Sequence, residues 1–130
     1  RRPPRSPLFP YTTLFRSLRA GGILAVQTLN YDHILAERER IVSIDTEGGE
    51  SFVRFYDFLP DGLVHFNLLR FGHADGEHTL ASVLLHPYRQ AELSAALEHA
   101  GFWQIAAYGS LDFAPFDPAA SETLLLVAER

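Results

Sequence analysis

The stretch LRAGGILAVQTLNYDHIL, residues 18–35, decides which fold the sequence predicts. Its Gly-Gly pair at positions 21 and 22 is typical of a helix end, where glycine readily adopts a left-handed conformation. The run Ile23–Leu29 is short and mostly apolar, which predicts a strand buried on both faces. Asn30 then falls at the carboxyl end of that strand. This order of signals favours a sheet of the α/β class.

The segment after Asn30 predicts a helix and then a β-rich block. Residues 31–41, YDHILAERERI, combine apolar and charged side chains at helical spacing, and DTEGGES (45–51) has the composition of a polar loop. Three runs with extended patterns follow, joined by the turn sequences PDG and HADGE: Phe52–Leu59, Leu63–Phe71 and Thr79–Leu85. Short turns between neighbouring strands predict a three-stranded antiparallel meander, which Pro87 closes.

The end of the chain returns to a helical period. Five residues lie at helical spacing, and Gly101 stops that helix: Glu92, Leu93, Ala96, Leu97 and Ala100. The sequence FWQIAAYGSL (102–111) predicts a strand, DFAPFDPAAS (112–121) a loop, and ETLLLVA (122–128) a final buried strand. The predicted fold class is therefore α/β, with an antiparallel insertion between two sheet-forming segments.

Composition excludes several classes of function. The chain has 130 residues, no cysteine, and no apolar run of the ~18–20 residues that a membrane span needs. Residues 18–130 contain seven arginines and no lysine against sixteen acidic residues, which gives them a formal charge of −9. An acidic body disfavours binding to nucleic acid, which requires a basic face. The composition predicts a soluble cytoplasmic domain that binds neither nucleic acid nor membrane.

The first 17 residues differ from the rest of the chain. They contain four arginines, four prolines and no acidic residue. Their sequence, RRPPRSPLFPYTTLFRS, matches the translation of a sequencing-adapter oligonucleotide, RRPPRSTLFPYTTLFRS, at every position except Pro7. We therefore expect residues 1–17 to be a disordered artefact and the natural sequence to begin near Leu18, in the middle of a protein. A genuine basic arm is the alternative.

Three segments together resemble the C-terminal half of class I S-adenosylmethionine-dependent methyltransferases: LRAGGILAVQTLNYDHIL, HPYRQAELSAALEHAGFWQIAAYG and SETLLLVAER. The resemblance implies that residues 18–130 are the C-terminal part of a Rossmann-like methyltransferase domain, with its fifth to seventh strands and an inserted meander. It also implies S-adenosylmethionine as cofactor and a small-molecule methyl acceptor. The family's Gly-rich cofactor loop would lie upstream of Leu18, so we expect this chain to be inactive alone.

Within that family, the chain resembles glycine and sarcosine N-methyltransferases. The similarity lies in the segment Asn30-Tyr31-Asp32 and in the later loop sequence DFAPF, whose last aromatic residue is Phe116. The resemblance implies that Asn30 binds the substrate and that an arginine holds its carboxylate, and Tyr31, the next residue of the same segment, is a further candidate for substrate binding. Arg54 is our candidate for that arginine, and Arg70 is the alternative.

Each candidate also has a structural interpretation. Asn30 is a preferred helix N-cap residue, Tyr31 and Tyr88 can be packing residues, and Arg54 can lie on a solvated strand face. The cluster His73, Asp75, Glu77 and His78 reads as a solvated turn without the spacing of a metal site, and His86 reads as structural.

Neither a catalytic residue nor a cofactor-binding residue is identified. Methyl transfer from a sulfonium requires alignment and exclusion of water rather than a catalytic triad. The alternative function is a non-enzymatic α+β module that binds a small ligand.

Overall fold

The computed structural model describes residues 17–130, and the expectation of a disordered artefact falls almost wholly outside this range. The described chain forms seven strands and two helices in the following order: β1 (Ile23–Leu29), α1 (Tyr31–Glu37), β2 (Ile41–Glu47), β3 (Glu50–Phe58), β4 (Val64–Gly72), β5 (His78–Leu85), α2 (Gln90–His99), β6 (Trp103–Tyr108) and β7 (Thr123–Glu129). The described chain divides into two compact units, of which the second is Glu37–Pro87 and the first contains the remaining residues.

The first unit contains a three-stranded sheet in the order β1–β7–β6. Strand β7 is antiparallel to both neighbours, with Leu29 opposite Thr123 at one end of its pairing with β1. Because β1 and β6 run in the same direction, their carboxyl ends, Leu29 and Tyr108, lie at the same edge of the sheet as Thr123. An α/β unit with an antiparallel last strand agrees with the predicted fold class.

The core of the first unit lies between helix α2 and one face of this sheet. Leu97, Leu124 and Leu126 are each about 1% exposed, and Leu24 and Val26 of β1 pack against the same cluster. Burial of each leucine contributes roughly 1.5–3 kcal/mol. The predicted helix is confirmed as α2: of the residues at helical spacing, Leu93, Ala96 and Leu97 are buried, Ala100 is buried at its C-cap and Glu92 is exposed.

Strand β1 does not have the predicted burial on both faces. Its side chains alternate between exposed and half-buried along the whole strand, and Ile23 and Leu29 are exposed. Successive side chains of a strand point to opposite faces, and only one set contacts the α2 core. Within residues 17–130, only β7 pairs with β1. The predicted left-handed glycine is present, because Gly21 has φ +82°.

The second unit is an antiparallel sheet in the order β2–β3–β4–β5, one strand larger than the predicted meander. Predicted strands Phe52–Leu59, Leu63–Phe71 and Thr79–Leu85 correspond to β3, β4 and β5 within two residues at each end. The additional strand β2 occupies residues that we expected to form the end of a helix and a polar loop.

Two local features explain why these residues form strand β2 rather than the predicted helix end and loop. Helix α1 ends at Glu37 rather than at Ile41, and Arg38 follows it with φ +54°. Gly48 and Gly49 have φ +60° and +77°, which suits the two-residue turns that join antiparallel strands tightly. The predicted loop 45–51 is therefore a two-residue turn, and β-branched residues before it extend the sheet.

Candidate functional site

Asn30 lies at the carboxyl end of β1 and is 1% exposed. Its amide nitrogen Nδ2 donates hydrogen bonds to the carbonyl oxygens of Pro118 (3.1 Å) and Ser121 (2.7 Å). Its Oδ1 accepts a longer bond from the backbone N–H of His33 (3.4 Å), in the N-cap position of α1. Asn30 therefore caps the helix and also holds the loop between β6 and β7 against the end of β1.

The two residues after Asn30 connect β1 to helix α2. Tyr31 is buried, with 6% of its surface exposed. Asp32 Oδ2 accepts a hydrogen bond from the backbone N–H of Gln90, the first residue of α2, at 3.0 Å. A carboxylate at a helix N-terminus satisfies an otherwise unpaired N–H and complements the helix dipole. The Asn-Tyr-Asp segment thus binds both the late loop and α2.

The loop that Asn30 holds, residues 109–122, begins with a small hairpin. The N–H of Gly109 donates to the carbonyl of Ala114 at 2.8 Å, and Tyr108 forms an isolated bridge with Pro115. Thr123 Oγ1 also donates to the carbonyl of Gly109 at 2.9 Å. We call residues 110–113 the hairpin tip; it extends past the carboxyl end of β6.

The two phenylalanines of this loop lie in different environments. Phe116, the aromatic residue that ends the DFAPF segment, is partly buried and packs against the α2 core. Phe113 is 60% exposed and has φ +63°, a conformation that is strained for a residue other than glycine. Its ring meets the Tyr108 ring edge-on, with 5.0 Å between centroids. The structure therefore leaves Phe113, rather than Phe116, as the exposed aromatic residue of the loop.

Arg54 lies in the second unit, on β3. Its Nη1 donates to Asp45 Oδ2 at 3.0 Å and to Ser43 Oγ at 3.4 Å. Arg70 on β4 forms an ion pair with Glu50. Strand pairing places Arg54 opposite Leu68 and Phe52 opposite Arg70, so both arginines lie on the same face of the sheet. Both candidate arginines thus have a carboxylate partner.

An open cleft of about 460 Å³ adjoins Arg54 in the second unit. It is lined by Asp45, Thr46, Glu47, Phe52 and Arg54. The lining combines a guanidinium, two carboxylates and an aromatic ring. Such a surface can contact both a positive and a negative group of a small ligand.

The histidine-rich turn between β4 and β5 is held by one hydrogen bond to β3 and one within the turn. His73 Nε2 lies 2.7 Å from Ser51 Oγ, and Asp75 Oδ1 accepts the N–H of Glu77 at 3.0 Å. Within residues 17–130, no group of three His, Asp or Glu side chains is arranged to hold a metal ion.

Sequence reasoning found Asn30 and Tyr31 but missed what they hold. Nothing in the local pattern indicated that the Asn30 amide would bind carbonyls 88 and 91 residues later in the chain. The left-handed Phe113 was also missed, although the sequence Ser-Leu-Asp-Phe contains two turn-forming residues that could have indicated a hairpin.

Comparison with known proteins gives similarity at the level of structure. No protein-family model matches the chain, and no curated protein matches it. The CcbJ methyltransferase from Streptomyces caelestis has 18% identity and a TM-score of 0.72 over 91% of this chain and 52% of its own. An S-adenosylmethionine-dependent methyltransferase from Clostridium acetobutylicum has 13% identity and a TM-score of 0.64 over 91% and 50%.

These similarities define the fold. Residues 17–130 have the fold of the C-terminal portion of a class I S-adenosylmethionine-dependent methyltransferase, and the chain spans about half the length of the solved structures. The predicted fold class is confirmed. In the part of the chain that the structure describes, no helix combines the length and apolar character required to cross a membrane.

Proposed function

We propose that this chain is the C-terminal part of an S-adenosylmethionine-dependent methyltransferase that methylates the amine of a small molecule, with glycine or sarcosine as the first acceptors to test. The observation that carries the proposal is the β1–β7–β6 sheet, in a fold shared with solved methyltransferases. Asn30 lies at the edge formed by the carboxyl ends of β1 and β6, which we call the ligand edge. Ligands of open α/β sheets bind at the carboxyl ends of the strands.

The described residues lack a cofactor cradle of the expected kind. Gly48 and Gly49 form the turn between two antiparallel strands, whereas a nucleotide-binding Gly-rich loop follows a strand and opens a helix. We therefore assign no cofactor contact to residues 17–130. S-adenosylmethionine, when bound, supplies an activated methyl group, and the residues of this chain would serve to orient the acceptor and exclude water.

Asn30, Tyr31 and Arg54 are the residues that we propose for substrate binding. Asn30 and Tyr31 belong to the ligand edge, which supports a role there. Asn30 already uses both amide hydrogens on loop carbonyls, so its contribution would include holding the loop in position. Arg54 would bind a substrate carboxylate by sharing its guanidinium with Asp45 or by releasing it.

The reading frame upstream of Leu18 provides the first test. Resequencing the source DNA with adapter sequence trimmed is expected to extend the frame into a strand, a Gly-rich loop and a helix roughly 100 residues earlier. A stop codon directly before Leu18 would contradict the proposal. The extended protein is then expected to transfer methyl groups from S-adenosylmethionine to glycine or sarcosine, as measured by mass spectrometry.

Substitutions at Asn30 separate its capping role from its role in holding the loop. Serine caps helices about as well as asparagine, but its single O–H on a shorter side chain cannot replace both bonds that the Asn30 amide donates to the carbonyls of Pro118 and Ser121. We therefore expect Asn30→Ser to lose as much methyl transfer in the extended protein as Asn30→Ala, while α1 retains its helicity. Wild-type activity in Asn30→Ser would mean that only the helix cap matters.

A further inference from the structure

The hairpin tip, residues 110–113, extends from the edge of the sheet where a ligand is expected. It follows Tyr108 at the carboxyl end of β6, and β6 ends at the same edge as β1 because both strands are antiparallel to β7. The tip is therefore on the correct side of the sheet to contact an acceptor.

Both ends of the tip are held in place. Gly109 donates to Ala114 at one end, and its carbonyl accepts the hydroxyl of Thr123. A Cβ atom on Gly109 would lie 2.6 Å from Ser121 Oγ, so the two arms of the loop pass very close to each other. The amide of Asn30 holds the second arm through the carbonyl of Ser121. A loop fixed in this way loses little conformational freedom when it binds a ligand.

The tip presents apolar side chains that the described chain does not bury. Leu111 is 68% exposed and Phe113 is 60% exposed. Phe113 also keeps a left-handed backbone, a conformation that costs free energy for a side chain with a Cβ atom. Because the Phe113 ring is exposed, burial in the core does little to offset this strain. Backbone strain of this kind is found more often at functional sites than elsewhere.

A carboxylate, that of Asp112, belongs to the residue directly before Phe113 in the chain. The Ser110 hydroxyl donates a hydrogen bond to Asp112 Oδ1, and this bond, with backbone hydrogen bonds, lowers the pKa of Asp112. A lowered pKa keeps the group ionised at neutral pH and makes it a weak base. Within residues 17–130, no arginine or histidine forms an ion pair with Asp112.

We infer that Asp112 and Phe113 recognise the methyl acceptor as a small cationic amine, with the ammonium group at the Asp112 carboxylate and over the Phe113 ring. An aromatic face and a carboxylate both attract a cation, so together they bind an ammonium group more tightly than a neutral alcohol of similar size. The edge-on contact with Tyr108 helps to fix the orientation of the Phe113 ring. This inference rests on the proposed methyltransferase function, because it names the acceptor class of that site.

The role of Asp112 is binding rather than proton transfer. Methylation forms an N–C bond as the S–C bond breaks, with the electron pair going to sulfur, so the nitrogen must attack in its neutral form and its proton must leave. A carboxylate with a lowered pKa is a poor acceptor for that proton. The proton is therefore expected to pass to solvent before attack.

Direct binding to the 130-residue chain tests the recognition step. Cyclohexylamine and cyclohexanol have similar size but differ in charge, and amide NMR shifts report where each binds. We expect cyclohexylamine to shift the amides of residues 110–114 and cyclohexanol to leave them nearly unchanged. Equal shifts with both probes, or no shift with cyclohexylamine at the highest concentration at which cyclohexanol also dissolves, would overturn the inference.

Variants test separately whether the Phe113 ring and the Asp112 carboxylate bind the amine. Phe113→Leu keeps an apolar side chain but removes the ring, and we expect cyclohexylamine to bind about two- to fivefold more weakly. Asp112→Asn removes the charge and should weaken binding by a similar factor. Glu98→Gln removes an exposed charge from α2 and serves as the control that leaves binding unchanged. Wild-type affinity in both loop variants would exclude the assigned roles.

Assays of the extended protein separate this inference from the proposed function. If both hold, Phe113→Leu raises the KM for the amine acceptor and leaves kcat nearly unchanged. If cyclohexylamine binds the tip but no amine is methylated, the amine site stands and the methyltransferase proposal fails. If an amine is methylated with the same KM in wild type and Phe113→Leu, the methyltransferase proposal stands and this inference fails.

Discussion

The two units of the chain are stabilised in different ways. In the first unit, helix α2 covers one face of the sheet and the most completely buried core side chains are leucines. The second unit is a sheet without a complete helix of its own, and strand β5 is exposed along almost its whole length. The first unit therefore depends mainly on apolar burial, whereas the second depends more on pairing between strands.

Polar contacts support the sheet of the second unit. Asn67 on β4 is 3% exposed, accepts a hydrogen bond from Ser82 on β5 at 2.5 Å and donates to Asp57 on β3 at 3.0 Å. Asp57 in turn accepts a bond from Arg40 at 2.5 Å. This Arg40–Asp57–Asn67–Ser82 network crosses three strands. A buried amide that is hydrogen-bonded to both neighbouring strands, as Asn67 is, favours one strand register.

The same unit has one apolar row across all four strands. Strand pairing aligns Ile44, Val53, Leu69 and Leu80, and the two outer residues, Ile44 and Leu80, are exposed. Aliphatic residues of similar size therefore contribute unequally to the stability of this chain. Their contribution depends on whether a helix covers them.

Replacing matched leucines gives the largest expected effect. Leu97→Ala opens a cavity in the first unit and is expected to lower the free energy of unfolding by about 3 kcal/mol. Leu80→Ala in the exposed row should cost less than about 1 kcal/mol. Urea denaturation followed by circular dichroism measures both. Equal losses would mean that β5 is covered in solution and that the contrast between the units is wrong.

Breaking the polar network gives an intermediate effect. Asn67→Ala removes the acceptor for Ser82 and the donor to Asp57 and is expected to destabilise the protein by about 1–2 kcal/mol. Ser82→Ala removes only one of these bonds and should cost less. Since the two residues interact directly, the double variant is expected to lose less than the combined losses of the single variants. Strict additivity would indicate that the network is not formed.

Alkaline pH gives the smallest effect. Burial raises the pKa of Tyr56 above its usual value of 10.0. The unfolded chain then releases the phenolic proton at lower pH than the folded chain, so stability falls as pH rises through about 10. Tyr56→Phe removes this proton, and its urea midpoint should decline less than that of wild type between about pH 9 and 11. Parallel declines would show that Tyr56 does not contribute.

Local patterns predicted much of the fold but not its long-range contacts. Helix α2, strands β3 to β5 and the left-handed Gly21 all depend on residues close together in the sequence, and each prediction is confirmed. Helix α1 was predicted too long because helical spacing continues to Ile41, whereas pairing with β3 draws that residue into a strand. Tertiary pairing therefore outweighed local propensity.

The sequence by itself determined the α/β class, the resemblance to methyltransferases and the position of Asn30 at the end of a strand, because these follow from periodicity and nearby residues. Only the tertiary structure decided that the Asn30 amide holds the late loop, that Phe116 is packed and Phe113 exposed, and that Arg54 is paired with Asp45. Each of these depends on which distant groups satisfy a buried donor or cover a ring. Such partners are set by chain packing, which local sequence patterns do not record.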